Sequence, residues 1–224
     1  MYPVYRNPFG VHRAHDPKAG DDSDDGNYAF DMERSACALF GVITYGVHMT
    51  VYQQANGSEM QIWVPTRSRT KQTWPGYLDN SVAGGIPSGM SVFESLVKEA
   101  AEEASIDQEI TSKYAKCAGS ISYYRQTSAG WLQPEIEYVY DMKIPDDGDA
   151  TLFQPRPADG EVESFNLLPL HVVISKMKQG LFKANCAVVL IDFLIRHGYL
   201  TPDNDPDFME IITRIHGRFH YERW

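Results

Sequence analysis

The chain has 224 residues, 43% of them hydrophobic, which is enough for the core of one ordinary domain. Its formal charge of −10 argues against a binder of phosphate backbones, which would need a basic surface. The three cysteines, Cys37, Cys117 and Cys186, stand far apart and form no CxxC or Cys/His cluster, so a structural zinc site is not expected and a reducing compartment is. The N-terminus has no apolar run of signal-peptide type. The longest apolar stretch, Cys186 to Ile195, is interrupted by Asp192 and too short to span a bilayer, so the expectation is a soluble cytoplasmic protein.

In chain order, residues 1–35 read as an acidic, flexible arm, because "HDPKAGDDSDDGN" lacks any apolar period. Residues 36–224 read as one domain. "CALFGVITYGVHMTVYQQ" is β-branched and aromatic, and is expected to be extended. "EMQIWVPTRS" is its hairpin partner across the Asn-Gly of "QANGSE". "WPGYLDNSVAGG" reads as turn-rich with short extended pieces. A helix is expected from Ser91 to Ala104, opened by the capping box Ser91/Glu94. Phe93, Leu96, Val97, Ala100 and Ala104 fall on one stripe of that helix and should face the core.

"YAKCAGSISYYRQ" and "EIEYVYDMKI" are two further strands around the turn "TSAGW", and "EVESFNLLP" is another after a long acidic loop. "HVVISKMKQG", "NCAVVLIDFLIRHG" and "PDFMEIITRIHGRF" have helical spacing. The class is α/β, a mixed sheet with helices packed on it.

The chemistry is concentrated between Ser81 and Ile106. Glu99, Glu102 and Glu103 are related by i+3 and i+4, so their carboxylates are neighbours. Like charges about 6 Å apart repel by about 3 kcal/mol at an effective dielectric near 20, and by a few tenths on an exposed helix. A solvated acidic face is therefore cheap. A cluster gathered beside paired glycines becomes favourable when a hard divalent cation neutralises it.

This stretch resembles the Nudix box of diphosphate hydrolases, G-x5-E-x7-R-E-U-x-E-E-x-G-U. Gly84 takes the first glycine, Glu99, Ala100, Glu102 and Glu103 the E-U-x-E-E core, and Ile106 the last apolar slot. Met90, Lys98 and Ser105 depart from the box, standing where it has glutamate, arginine and glycine. More widely, segments between residues 37 and 216 look like the Nudix domain associated with thiamine pyrophosphokinase in fungi and other eukaryotes. The longer N-terminal region usual in that group is expected to be shortened here to the acidic arm.

The resemblance implies a Nudix-type α/β/α sandwich with a loop–helix–loop metal site. It implies Mg²⁺ or Mn²⁺ held by Glu99, Glu102, Glu103 and the carbonyl of Ala83, with Glu161 from a loop as a further ligand. Glu161 or Glu99 would serve as general base. The implied reaction is hydrolysis of a small-molecule diphosphate, thiamine diphosphate or an oxidised analogue, to the monophosphate. A nucleoside diphosphate derivative or a prenyl diphosphate is the alternative substrate, and a non-catalytic module binding a phosphorylated ligand the alternative class. The family suggests a homodimer; neither nucleic acid nor membrane is expected as a partner.

Other residues carry two readings each. Arg67, Arg69, Lys71 and Gln72 form a basic island that either holds a diphosphate or is a solvated turn. Trp74 and Tyr77, like Tyr123, Tyr124 and Trp131, either stack on a substrate ring or pack in the core. Glu135 and Glu137 alternate on one strand face and are expected at the surface, the other reading being that they reach the site. The seven histidines have no metal-binding spacing.

Overall fold

The computed structural model describes residues 1–12, 26–127, 129–147, 149–217 and 219. Two short strands open it, β1 (Tyr2–Tyr5) and β2 (Tyr28–Met32), paired antiparallel. The expectation of a flexible arm therefore does not hold for these ends of it. Most of its acidic stretch lies outside the described residues. A helix, α1 (Arg34–Phe40), follows and ends on Gly41 at φ 63°, a left-handed position that glycine takes without strain. "CALF" thus belongs to a helix, not to the strand that follows.

The main sheet is built from β3 (Thr44–Gln53), β4 (Gln61–Arg67), β5 (Val82–Gly85), β6 (Lys116–Gln126), β7 (Leu132–Lys143) and β8 (Val162–Pro169). Its order is β6-β7-β3-β4-β8, with β5 pairing β3. The β3–β7 pair is parallel and the other pairs are antiparallel, so the sheet is mixed. The β3–β4 hairpin forms across the Asn-Gly turn, but its register covers only Tyr52↔Ile62 and Gln53↔Gln61. The two strands then diverge, and β5 takes the place beside β3, from Gly46↔Gly85 to Met49↔Val82.

Helix α2 (Val92–Ala104) begins on the capping box: Glu94 N–H donates to Ser91 Oγ (3.3 Å), and Ser91 N–H donates to Glu94 Oε2 (2.9 Å). Its Leu96, Ala100 and Ala104 are completely buried against Val47, Met49 and Val82 of the sheet. Phe93, expected in that stripe, is instead exposed at the first turn, 6.0 Å from the Tyr140 ring. A short helix, α3 (Gln108–Tyr114), capped by Asp107, follows; its seven residues are too few to show a period in the sequence.

After β8 come α4 (Leu170–Lys178), α5 (Ala184–Arg196) and α6 (Phe208–Ile215). On α5, Val189 packs against Ile121 and Val139, and Phe193 against Tyr52, covering the sheet face away from α2. Asp192, the charge inside the apolar run, is held by Arg196 one turn on (2.7 Å). Helices on both faces of a mixed sheet make the expected α/β/α sandwich. Among the described residues no helix is long and apolar enough to cross a membrane.

Candidate active site

The site lies where β5 meets α2. The paired glycines Gly84 and Gly85 are not a turn: they are extended residues of β5, paired to Val47 and Gly46. What they supply is room. A β-carbon on Gly84 would stand 2.3 Å from Glu99 Cδ, so the Glu99 carboxyl rests directly on the backbone. One turn further along α2, Glu103 Oε2 accepts from Ala83 N–H at 3.4 Å. That N–H therefore points away from β3, and in a strand the carbonyl of the same residue points the same way. The free edge of β5 thus presents backbone polar groups to the acidic side of α2.

Glu161, just before β8, is brought to the same place. Its carboxylate is held by Lys71 and by a hydrogen bond with Glu103. Lys71, followed by its charge and that of Arg67, keeps Glu161 below the usual carboxylate range against partial burial. Glu99 is shifted the other way, first by burial and then, against the pull of Lys98, by the charges of Glu102 and Glu161. Glu103 is the extreme case: burial, then the charges of Asp79 and Glu99, push it up to about 8. Glu102 does not join this group. Half-exposed, it turns to Lys98 at 2.9 Å, and Lys98 also stands 3.8 Å from Glu99. Glu99, Glu103 and Glu161 are thus neighbours, though among the described residues no three such side chains already converge as metal ligands.

The basic island is not a free anion cradle. Arg67 binds Asp79 (2.6 Å) and the carbonyls of Thr73 and Trp74, so it closes the loop between β4 and β5. Arg69 faces Glu163 at 3.7 Å, and Lys71 is held by Glu161. Gln72 is exposed. Trp74, at φ 54°, meets Tyr77 edge-on at 4.9 Å, and Tyr77 is open to solvent, so the two line an outer loop. Trp131 and Tyr124 are likewise exposed, whereas Tyr123 is drawn inside.

Glu135 and Glu137 correct the surface expectation: both are buried, at 8% and 5% exposure. Tyr123 lies between them, and His48 Nε2 stands 3.4 Å from Glu137 Oε2. His48 in turn meets Asn80 (2.7 Å), whose amide donates to the Cys186 carbonyl. Burial works against a charge on His48, but the Glu137 carboxylate outweighs it and the imidazole is shifted up. Tyr2, carried by β1, also reaches this region: a β-carbon on Gly85 would stand 1.9 Å from its hydroxyl oxygen. The sequence signal for Glu135 and Glu137 was their alternation within an apolar strand, which marks a shared face without saying which. Nothing local marked Tyr2.

The NUDIX domain model matches residues 44–186, which include β3, β5, the whole of α2 and Glu161. The chain belongs to the Nudix family. An uncharacterised protein of Saccharomyces cerevisiae is 41% identical over 201 residues, 85% of this chain and 57% of its own length. Nudix hydrolase 20, chloroplastic, of Arabidopsis thaliana is 40% identical over 190 residues, 84% of this chain and 48% of that protein. The chain therefore spans about half the length of these relatives. A bifunctional NMN adenylyltransferase/ADP ribose pyrophosphatase from Francisella tularensis, solved with AMP and a manganese ion, has the same fold. It superposes with a TM-score of 0.51 at 14% identity, over 69% of this chain and 41% of that one.

Within this Nudix fold the three departures from the box have local accounts. Lys98 serves Glu99 and Glu102 as a cation, with no glutamate at Met90 to engage it. Ser105 adopts φ 53°, the left-handed conformation that glycine would take freely, and its Oγ donates to the Arg156 carbonyl (3.1 Å).

Proposed function

We propose that this chain is a divalent-metal-dependent hydrolase of organic diphosphates, acting on thiamine diphosphate or an oxidised analogue to release the monophosphate. Glu103 carries the reading. It is a half-buried carboxyl with no salt bridge to a cation among the described residues, pushed up to about 8, beside Glu99, Glu161 and the open edge of β5. A buried carboxyl of that kind is either kept neutral by a proton or neutralised by a cation. An oxygen-only donor set suits Mg²⁺ or Mn²⁺. Glu99, Glu103, Glu161 and the Ala83 carbonyl would hold the ion, with Glu102 joining if it leaves Lys98. When bound, the ion would neutralise the diphosphate and acidify a water molecule.

The protein groups supply the rest. Lys71 holds Glu161 through Oε2 and keeps that carboxylate ionised, so that it can take the proton of an attacking water. The bare Gly84 lets the Glu99 carboxyl lie against β5. The thiamine assignment is supported by the resemblance of segments between residues 37 and 216 to the thiamine-associated Nudix domain. The three free cysteines suit a reducing compartment, the cytosol in this reading.

The test is hydrolysis of thiamine diphosphate, an oxidised analogue, farnesyl diphosphate and ADP-ribose, followed as free phosphate for the first three and as AMP and ribose 5-phosphate for the last, with Mg²⁺ and with chelator. Release confined to the Mg²⁺ arm, highest for the thiamine compounds and at least ~100-fold lower in Glu103→Gln, is expected. Undiminished turnover by that variant would remove the metal argument.

A further inference from the structure

The cations around the site are mostly engaged by the protein itself: Arg67 by Asp79, Lys71 by Glu161, Lys98 by Glu102 and Arg69 by Glu163. Lys183, at the N-cap of α5, differs. It is half-buried, yet its ammonium makes no hydrogen bond or ion pair among the described residues. The nitrogen is not one of the fully buried atoms without a partner, so solvent reaches it.

Backbone and side-chain bonds fix where it stands. Lys183 N–H donates to the Leu78 carbonyl (2.9 Å), the Asn80 amide donates to the Cys186 carbonyl (3.2 Å), and Asn80 Oδ1 meets His48 Nδ1 (2.7 Å). The first turn of α5 is thereby seated against His48 on β3. The charge of Lys183 acts on His48 itself, on Asp79 just before β5, and on Glu137 of β7. Since β5 and β7 flank β3, a charge felt on both sides lies over β3. His48 is the register partner of Ala83, whose carbonyl faces the metal in the reading above, one strand spacing or about 4.8 Å away.

The carboxylates nearest Lys183 do not need it. Both oxygens of Asp79 are taken, Oδ2 by Arg67 (2.6 Å) and Oδ1 by Asn80 N–H (2.8 Å) and Cys186 Sγ (2.6 Å). Glu137 accepts from Tyr123 at 2.9 Å and faces His48 at 3.4 Å. Burial opposes the charge on Lys183, but the acidic groups around it outweigh burial and keep the ammonium ionised. An ionised ammonium carries three donors, and a half-buried one calls for an acceptor. A phosphate oxygen supplies one without breaking any ion pair of the protein.

We infer that Lys183 is a substrate-binding residue whose ammonium, standing over His48 beside Ala83, takes a non-bridging oxygen of the diphosphate. The inference rests on the diphosphate-hydrolase reading and adds to it the cation that the basic island does not provide.

The probe is methylenediphosphonate, which cannot be hydrolysed, titrated by calorimetry into the full chain with Mg²⁺ present. Wild type is expected to bind it, Lys183→Met at least about tenfold more weakly, and Lys183→Arg within about threefold of wild type. Mg²⁺ alone should bind Lys183→Met at least as tightly as wild type, because a positive charge has left the neighbourhood of the acidic cluster. A purely structural lysine would not move the two affinities in opposite directions. A measurement on wild type needs no variant to fold: the diphosphonate should protect Lys183 from acetylation and leave the exposed Lys178 as reactive as before. Equal diphosphonate binding by wild type and Lys183→Met, no binding by wild type, a parallel loss of Mg²⁺ binding, or an unprotected Lys183 overturns the inference. Diphosphonate binding that depends on Lys183, in a chain that hydrolyses no diphosphate, overturns the hydrolase reading and leaves the Lys183 site standing.

Discussion

The Glu99 carboxyl lies on the backbone of Gly84, in the volume where any other residue at 84 would carry its β-carbon, 2.3 Å from Glu99 Cδ. A helix residue and a strand residue fifteen positions apart are thereby fitted to each other, and the fit depends on space rather than on backbone freedom, since Gly84 is an ordinary extended residue.

Gly84→Ala tests that fit. The added methyl must displace Glu99, because the strand is fixed by its pairing to β3. Overpacking of this kind costs about 1–3 kcal/mol. Mg²⁺-dependent turnover should fall by about 100-fold or more while the melting temperature drops by only a few degrees. Wild-type turnover in this variant would show that Glu99 does not need its seat on β5.

Glu103 links pH to stability with a definite sign. Its carboxyl is raised in the folded chain to about 8, so the stability it contributes is fully present below the ordinary carboxylate range and is lost as pH rises through about 8. Every tenfold change in proton affinity between the folded and unfolded chain corresponds to about 1.4 kcal/mol, so the effect is a few kcal/mol. In chelator, Glu103→Gln should melt higher than wild type at pH 9 and at about the same temperature at pH 4. Adding Mg²⁺ at pH 9 should raise wild type and not the variant. Denaturation series at the two pH values, with and without metal, decide it.

Ser105→Gly removes a left-handed φ of 53° from a residue with a β-carbon and also the Oγ bond to the Arg156 carbonyl. The left-handed conformation costs about 1–2 kcal/mol, and an exposed hydrogen bond returns about 0.5–1 kcal/mol. The variant should be more stable by up to ~1 kcal/mol, seen as a shift in the urea midpoint without a change in slope.

Asp141 joins β7 to α5 through Arg196 (3.0 Å to Oδ1) and His197 (3.1 Å to Oδ2). Burial raises its carboxyl, but the hydrogen bonds from His197 and Arg196 and the guanidinium charge prevail and hold it below the usual value. The stability it contributes is therefore present above the ordinary aspartate range and lost as pH falls through its folded value. Asp141→Asn should cost about 2–3 kcal/mol at pH 7, a deficit that shrinks toward pH 3. Parallel denaturation curves for the two proteins across that range measure it.

Much of the fold was legible in local signals. The Ser91/Glu94 capping box and the Leu96/Ala100/Ala104 spacing marked α2, and the Asn-Gly turn marked the β3–β4 hairpin. The misses have local reasons too. β1, β2 and α3 are too short for their periodicity to stand out, and "CALF" joined a helix because Gly41 ends it before the strand begins. The paired glycines read as a turn because a sequence records flexibility at glycine but not the side chain that leans on it.

From sequence alone came the spacing Gly84–Glu99–Glu102–Glu103, and with it the family and the kind of ligand an oxygen-rich helix face would attract. Periodicity places residues on a common face, since it follows from local backbone geometry. Only the folded chain decided that Glu103 is half-buried against β5 while Glu102 turns to Lys98, that Lys71 is spent on Glu161, and that Glu137 and Tyr2 lie on two bare glycines, Gly46 and Gly85. Those outcomes depend on solvation and on partners far away in the chain, and a carboxylate has the same local sequence signature whether it faces water or the interior.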